Sequence, residues 1–184
     1  AMASNEVRII GGNWRGRKLV FPDRPDLRPT LGRVRETLFN WLRADVPGSR
    51  CLDLFAGSGA LGFEALSRGA REVTFVERDR RAAAALTANA ERLEAGERAR
   101  ILCDRAERVL RRSGDPWDVI FVDPPFRGAD LMKIVEAIAE ARALAGEGLI
   151  YFEAPRRARL DFAPWRVVRE GSAGDTRFGL LATP

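Results

Sequence analysis

The chain has 184 residues, of which 46% are hydrophobic, and this is enough for one α/β domain with a small appendage. It contains no histidine, which excludes catalysis by a histidine base and most zinc sites. No apolar run approaches the roughly 18 residues of a membrane span and no secretory signal is visible, so we expect a cytoplasmic protein.

The positive charge is concentrated in the N-terminal part of the chain. The segment up to Arg43 contains nine basic and four acidic residues, and this excess of positive charge equals the net charge of the whole chain, +5. A localised positive segment favours a polyanionic partner, most simply a nucleic acid.

A hairpin and a helix are predicted before residue 44. Residues 7–10 and 17–21 have the pattern of two strands around a glycine-containing turn. Thr30 is expected to cap a helix whose apolar residues share one face, namely Val34, Leu38, Trp41 and Leu42. We therefore expect residues 1–44 to form a basic extension that contacts RNA, and residues 45–184 to form the main domain.

Predicted strands and helices alternate from residue 50 onward. Strands are expected at residues 51–55, 73–77, 100–103, 119–123 and 149–153. Helices are expected at residues 61–68, 80–93 and 129–144, and a short helix is expected after the strand at 100–103, ending at residue 112. This alternation predicts an α/β fold, a doubly wound and mostly parallel seven-stranded Rossmann-like sheet. Residues 165–170 and 177–182 are expected to close the sheet as a hairpin that adds an antiparallel edge strand. Cys51 and Cys103 both lie in strand-like runs, so we expect buried thiols.

A glycine-rich loop follows the first predicted strand of the main domain. Gly57, Gly59 and Gly62 have the spacing of the dinucleotide fingerprint, and Glu77 ends the next strand, where an acid that binds ribose is expected. The glycines would let the backbone approach a ligand at a helix N-terminus. These residues alone do not separate NAD from S-adenosylmethionine.

Two aspartates bear on the choice of cofactor. Asp53 precedes the glycine loop, where its carboxylate would repel a pyrophosphate but could face an ammonium or sulfonium group. Asp104 follows the third strand and could accept a hydrogen bond from an adenine amine or, alternatively, cap a helix.

The strand at residues 119–123 ends in Asp123, Pro124, Pro125 and Phe126. Two consecutive prolines fix an extended, rigid turn. The exocyclic amine of a nucleobase is a poor nucleophile because its lone pair is delocalised into the ring. Hydrogen bonds to Asp123 and to a carbonyl of the proline turn would orient the amine, and Phe126 would stack on the base. A cofactor loop followed by an amine-holding loop is the order found in amino-methyltransferases.

The segments 8–19, 28–30 and 33–42, together with these two loops, resemble the RsmD family of bacterial 16S rRNA guanine-N2 methyltransferases. The N-terminal segments are specific to the family, whereas many amino-methyltransferases share the two loops. The resemblance covers nearly the whole chain from Val7. It implies the methyltransferase sheet, S-adenosylmethionine as cofactor, and a monomer that acts on 16S rRNA within a 30S particle.

The resemblance also implies a set of site residues. The target base would contact Asp123, Pro124, Pro125 and Phe126. The cofactor would contact Asp53, Gly57, Gly59, Glu77 and Asp104, and we extend these expected contacts to their neighbours Phe55, Ala56, Ser58, Arg78 and Ala106.

A basic patch with an aromatic residue indicates RNA contact independently of the family. Arg15, Arg17 and Lys18 lie beside Trp14, which suits phosphate contact with base stacking, although Trp14 could equally pack inside the hairpin. Arg33 and Arg35 of the predicted helix are further candidates, with a solvated helix face as the alternative.

The expected function is therefore methylation of the N2 amine of a guanine in 16S rRNA. An N6-adenine methyltransferase on DNA or RNA could use the same Asp-Pro-Pro-aromatic loop. An NAD-dependent oxidoreductase would lack a proton donor of the usual kind and would leave this loop unexplained. A non-enzymatic RNA-binding assembly protein is the third alternative.

Overall fold

The computed structural model describes residues 4–27, 29–112, 114–125 and 131–184. Within this part, nine strands, β1 to β9, span Ser4–Arg8, Lys18–Pro22, Arg50–Asp53, Glu72–Val76, Ala99–Leu102, Trp117–Val122, Leu144–Pro155, Arg166–Ala173 and Thr176–Ala182. The α-helices α1 to α5 span Gly32–Trp41, Ala60–Ser67, Arg80–Arg92, Ala106–Arg111 and Leu131–Glu140. Short 3-10 helices lie at Pro25–Leu27 and Gly96–Arg98.

The main sheet has seven strands in the order β5-β4-β3-β6-β7-β9-β8. Strands β3 to β7 are parallel to their neighbours among themselves, while β9 is antiparallel to both β7 and β8. The predicted doubly wound sheet is thereby confirmed, and the closing hairpin supplies its last two strands. Because the parallel strands all end at one edge, the loops that follow β3, β4, β5 and β6 meet there.

The hydrophobic core has one layer on each face of the sheet, because successive side chains along a strand point to opposite faces. In β6, Phe121 faces the layer formed with α1, α2 and α3, whereas Ile120 and Val122 face the layer formed with α4 and α5. All three side chains are fully buried. This double burial explains why the central strands are continuous hydrophobic runs in the sequence.

A buried ionic cluster joins the N-terminal segment to the main domain. The Glu64 carboxylate of α2 is fully buried and accepts hydrogen bonds from the backbone N–H groups of Ile10 and Gly11, both at 2.9 Å. It also accepts from Arg68 Nε at 2.8 Å and from Arg35 Nη1 at 3.3 Å. A buried carboxylate is tolerated only when it is paired and hydrogen-bonded in this way. The cluster therefore ties the chain after β1, and helix α1, to α2.

Three local predictions differ from the structure. Thr30 does not cap α1, which begins at Gly32 after Leu31 without a side-chain cap; the Thr30 hydroxyl instead donates to Glu153. Cys51 is buried, but Cys103 is exposed because β5 ends one residue before it. The predicted helix at 129–144 is α5, which ends at Glu140; residues 129 and 130 lie outside the described residues. None of the helices described here is long and apolar enough to cross a membrane.

Candidate active site

A cavity of about 780 Å³ opens at the edge of the sheet where β3, β4, β5 and β6 end. A second wall comes from the segment before α1, through Arg24, Leu27, Pro29 and Thr30. Arg24 of this segment is ion-paired with Asp79 at the start of α3, at 2.8 Å. The N-terminal segment is thus part of the cavity and encloses the side of it that faces α3.

The glycine loop after β3 brings backbone to the cavity wall through Gly57. This residue has φ +54°, and its N–H group donates to Glu77 Oε1 at 3.0 Å. A left-handed conformation of this kind favours glycine over residues with a Cβ atom. Phe55, Ala56 and Ser58 also line the cavity, and their contact with a cofactor stays a prediction.

Gly59 and Gly62 serve packing instead. Gly59 has φ +82°, and a Cβ atom there would lie 2.6 Å from Leu86 and 2.7 Å from Phe63. A Cβ atom on Gly62 would lie 2.3 Å from Phe75. Gly59 is not among the residues that line the cavity, and its contact with a cofactor stays a prediction. Its role is to let α2 begin close to α3 and the sheet.

Glu77 follows β4 at the cavity wall and is held by two backbone groups. Its Oε1 accepts from Gly57, and its Oε2 accepts from the N–H group of Asp79 at 2.8 Å. An ionised carboxylate has about four acceptor sites, so two remain for hydroxyl groups of a ligand. Arg78 lines the cavity beside it.

Asp53 ends β3 and is buried, with 2% of its surface exposed. Its Oδ2 accepts from the N–H group of Gly62 at 3.0 Å. Burial raises the pKa of Asp53 to about 7, against the effect of this hydrogen bond, and the charge of Glu77 raises it further. A cationic group of a ligand beside Asp53 would offset this burial and favour the charged carboxylate.

Asp104 also lines the cavity, together with Ala106. It does not cap α4, whose N-cap residue is Arg105. Its Oδ1 accepts from the N–H group of Arg105 at 2.8 Å, and its Oδ2 accepts from Arg112 at 2.7 Å. These contacts fix the carboxylate at the end of the cavity near β5, where it can still accept a further hydrogen bond.

The loop after β6 forms the other end of the cavity. Asp123 and Pro125 line it, whereas Pro124 is buried and is not on the wall, so Pro124 acts through the shape of the turn. Phe126 lies outside the described residues. Burial and then the Glu153 carboxylate raise the pKa of Asp123 well above its usual range.

Sequence reasoning missed Thr30 and Glu153. The Thr30 hydroxyl donates to Glu153 Oε2 at 3.1 Å and lies beside the Asp123 carboxyl group. The signal for Glu153 was present in the sequence, because an acid follows the hydrophobic run of each of the parallel strands β6 and β7. Val122 is registered with Phe152, so Asp123 and Glu153 follow at the same level. No sequence pattern indicated Thr30, since it lies 123 residues before Glu153 in the chain.

Of the five side chains predicted to contact RNA, four are exposed in the structure and one is buried. Arg15, Arg17, Lys18 and Arg33 are exposed. The prediction for Arg35 is wrong, because this side chain is 4% exposed and donates to Glu64 and to the backbone carbonyls of Thr30 and Arg8. Arg35 therefore holds the fold together and is not available to a phosphate group.

The turn of the hairpin lies away from the cavity. The Trp14 side chain packs against the core beside Arg98, and the backbone N–H group of Trp14 donates to Ser67 Oγ at the C-terminus of α2. Arg17 donates to the carbonyl of Arg92, the last residue of α3. Since α3 has 13 residues and begins at the cavity, the turn lies roughly 20 Å from it. The packing alternative for Trp14 is thus the correct one.

Within the described part of the chain, no group of three or more histidine, cysteine or acidic side chains could hold a metal ion. The carboxylates of the cavity are spread along its wall.

Comparison with known proteins identifies the family. The family model described as conserved hypothetical protein 95 matches residues 7–182. Ribosomal RNA small subunit methyltransferase D of Escherichia coli K12 is 47% identical over 179 residues, covering 96% of this chain and 90% of that protein. The chain belongs to the RsmD family. The resemblance seen in the sequence is confirmed.

Solved structures agree with this membership. A putative methyltransferase from Escherichia coli is 44% identical with a TM-score of 0.86, covering 98% of this chain and all of that one. The fold extends beyond the RsmD family: a putative methyltransferase solved in complex with SAH has a TM-score of 0.69 at 16% identity, covering 90% of this chain and 53% of that one.

Proposed function

We propose that this RsmD-family chain transfers a methyl group from S-adenosylmethionine to the N2 amine of a guanine in 16S rRNA. The observation that carries the proposal is that one cavity has a distinct group of side chains at each end. Asp53, Glu77 and Asp104 line one end, and Asp123 with the proline turn lines the other. A cofactor and an amine can therefore meet inside one enclosed space, which provides proximity and orientation.

The donor set of the cavity fits S-adenosylmethionine. Glu77 has free acceptor sites for two ribose hydroxyls, Asp53 can face the ammonium or sulfonium group, and Asp104 can accept from the adenine amine. A dinucleotide fits less well, because Asp53 would repel a pyrophosphate at the glycine loop. When bound, the cofactor supplies a methyl group activated by its positive sulfur.

Asp123 and the proline turn act on the amine. Accepting hydrogen bonds from its N–H groups orients the nitrogen and favours a pyramidal geometry, in which the lone pair points at the methyl carbon. The nitrogen–carbon bond forms as the carbon–sulfur bond breaks with its electron pair passing to sulfur. The nitrogen then loses a proton to Asp123 or to water. No covalent intermediate with the protein is needed.

RNA contact is assigned to residues 1–44, the basic extension of the methyltransferase domain. Arg33 lies on the first turn of α1, three residues from Thr30 of the cavity wall, and suits a phosphate near the target base. Arg15, Arg17 and Lys18 suit a more distant phosphate of a structured substrate, such as 16S rRNA in a 30S particle. We propose that the protein acts as a monomer in the cytoplasm, where ribosomal subunits assemble.

The proposal is tested by methyl transfer from labelled S-adenosylmethionine to 30S particles that lack the modification. Wild-type protein is expected to label 16S rRNA, and Asp123→Ala is expected to label it far more slowly with cofactor affinity largely retained. Binding of S-adenosylmethionine without any transfer to 30S particles or free rRNA would favour a non-enzymatic assembly protein. Binding of NAD in its place would overturn the cofactor assignment.

A further inference from the structure

Two carboxyl groups lie side by side behind the amine-holding end of the cavity. Asp123 lines the cavity and Glu153 does not. They follow the registered pair Val122 and Phe152 of the parallel strands β6 and β7. Because side chains alternate along a strand, Asp123 and Glu153 extend to the same face of the sheet as Phe121 and Tyr151.

The hydroxyl group of Thr30 contacts both carboxyl groups. It donates to Glu153 Oε2 at 3.1 Å and lies beside the Asp123 carboxyl group. A hydroxyl group has one proton to donate, so it cannot donate to two carboxylates at once. Thr30 can be hydrogen-bonded to both carboxyl groups only if one of them carries a proton of its own.

Electrostatics also favours one proton on this pair. Burial raises the pKa of Asp123, and the charge of Glu153 and a hydrogen bond with it raise this pKa further. Burial and the same two carboxylates raise the pKa of Tyr151. Two adjacent carboxyl groups repel each other when both are ionised, and one proton between them removes this repulsion.

The charged and titratable groups around the pair are Asp53 of β3, Tyr151 of β7 and Arg35 of α1. Arg35 is held by Glu64 and donates to the backbone carbonyl of Thr30 at 3.2 Å. Arg177 of β9 is registered with Ala154 and lies over the Phe152 ring on the opposite face of the sheet, where it is ion-paired with Glu170. Both cations are thus engaged elsewhere, and Asp53 adds a further negative charge.

We propose that Asp123 and Glu153 share one proton, and that the hydrogen bond made by this proton fixes the Asp123 carboxyl group for the target amine. The inference rests on the proposed function for its purpose, but the shared proton is a property of the free protein. Glu153 is a positioning residue, since it acts through Asp123. One oxygen of Asp123 is engaged with Glu153, which leaves the other to accept from the amine.

The shared proton predicts that the rate of methyl transfer depends on pH. Once the pair loses its proton at higher pH, Asp123 and Glu153 repel each other and the hydrogen bond between them is lost. The single-turnover rate of methyl transfer, at saturating cofactor and 30S particles, should therefore fall on the alkaline side. Glu153→Gln replaces the proton by an amide N–H that donates to Asp123 at any pH, so it should remove this fall. The titration of Asp53 is common to both proteins, so the difference between their profiles isolates the pair.

A second variant measures the hydrogen bond itself. Glu153→Met has a similar volume but cannot donate, and we expect it to lower the rate about 10²-fold at all pH values, the cost of a misplaced reacting group. Glu153→Gln should restore most of this loss. Glu147→Gln, at an exposed position on the same strand, is the matched control and should keep the wild-type profile. Thermal unfolding and cofactor affinity identify any variant that loses activity through misfolding.

Carboxyl ¹³C NMR of the free protein tests the shared proton without any substrate. Near pH 7 the pair should hold one proton in the wild type, and in Glu153→Gln the titration of Asp123 should move to lower pH. Two ionised carboxylates at pH 7, or an Asp123 titration that Glu153→Gln does not move, would overturn the inference. So would superimposable rate profiles of the wild type and Glu153→Gln. If the wild type shows no transfer at all, it is the proposed function that fails, and the NMR result still decides the shared proton.

Discussion

The substitution Glu77→Ala tests the cofactor end of the cavity. Both oxygens of Glu77 are fixed by backbone N–H groups, at 3.0 Å from Gly57 and 2.8 Å from Asp79, so the carboxylate is preorganised for a ribose. A hydrogen bond to a charged group is worth about 1.5–3 kcal/mol. The loss of one such bond to a ribose hydroxyl should raise the Kd for S-adenosylmethionine between about tenfold and about a hundredfold. Isothermal titration calorimetry measures this directly.

The variant should otherwise remain folded, because the two N–H groups released from Glu77 lie at the cavity wall, where water can replace the carboxylate. Glu91→Ala, an exposed position on α3, provides a control with the same change of charge. If Glu77→Ala binds the cofactor as tightly as this control does, the assignment of Glu77 to the ribose is refuted.

Three further predictions concern the base, the RNA and the fold. Asp123→Ala should reduce the single-turnover rate about 10²–10³-fold, as deletion of a preorganised partner does. Asp123→Asn should reduce the rate much less, since its amide can donate to Glu153 and still offer an oxygen to the amine. Equal losses of rate in the two variants would refute this role for the oxygen. Replacing Arg15, Arg17 and Lys18 of the hairpin together by alanine should raise KM for the RNA and flatten the salt dependence of RNA binding, with cofactor affinity unchanged. An unaltered salt dependence would exclude phosphate contact by these three residues. Glu64→Gln should lower the free energy of unfolding in urea by about 3–5 kcal/mol, because it leaves the buried Arg35 without its counter-charge; a wild-type value would show that the cluster does not hold the N-terminal segment.

Much of the fold followed from local sequence patterns. Most strands of the main sheet are hydrophobic runs between glycine- and acid-containing loops, and most of their ends were predicted to within two residues. The exceptions are β7, which begins five residues before its predicted start, and β8, which ends three residues after its predicted end. Glu77 and Asp123 could be placed at the site because each directly follows a buried strand, and parallel strands bring such residues to one edge.

What the sequence did not show depends on contacts between distant segments. Arg35 follows Val34 on α1 and has the composition of a solvated helix residue, but Glu64 and the backbone after β1 cover it. Gly59 fits a cofactor fingerprint, yet its missing side chain makes room for Leu86. Thr30 has the properties of a helix cap, and only the folded chain brings it to Glu153.

The identity of the methylated nucleoside tests the central claim most directly. After incubation of the protein and S-adenosylmethionine with 30S particles that lack the modification, the 16S rRNA is digested and its nucleosides and fragments are analysed by mass spectrometry. A single new N2-methylguanosine in 16S rRNA, absent with Asp123→Ala, is the predicted result. N6-methyladenosine in its place, or unmodified rRNA with a folded and cofactor-bound protein, would contradict the account.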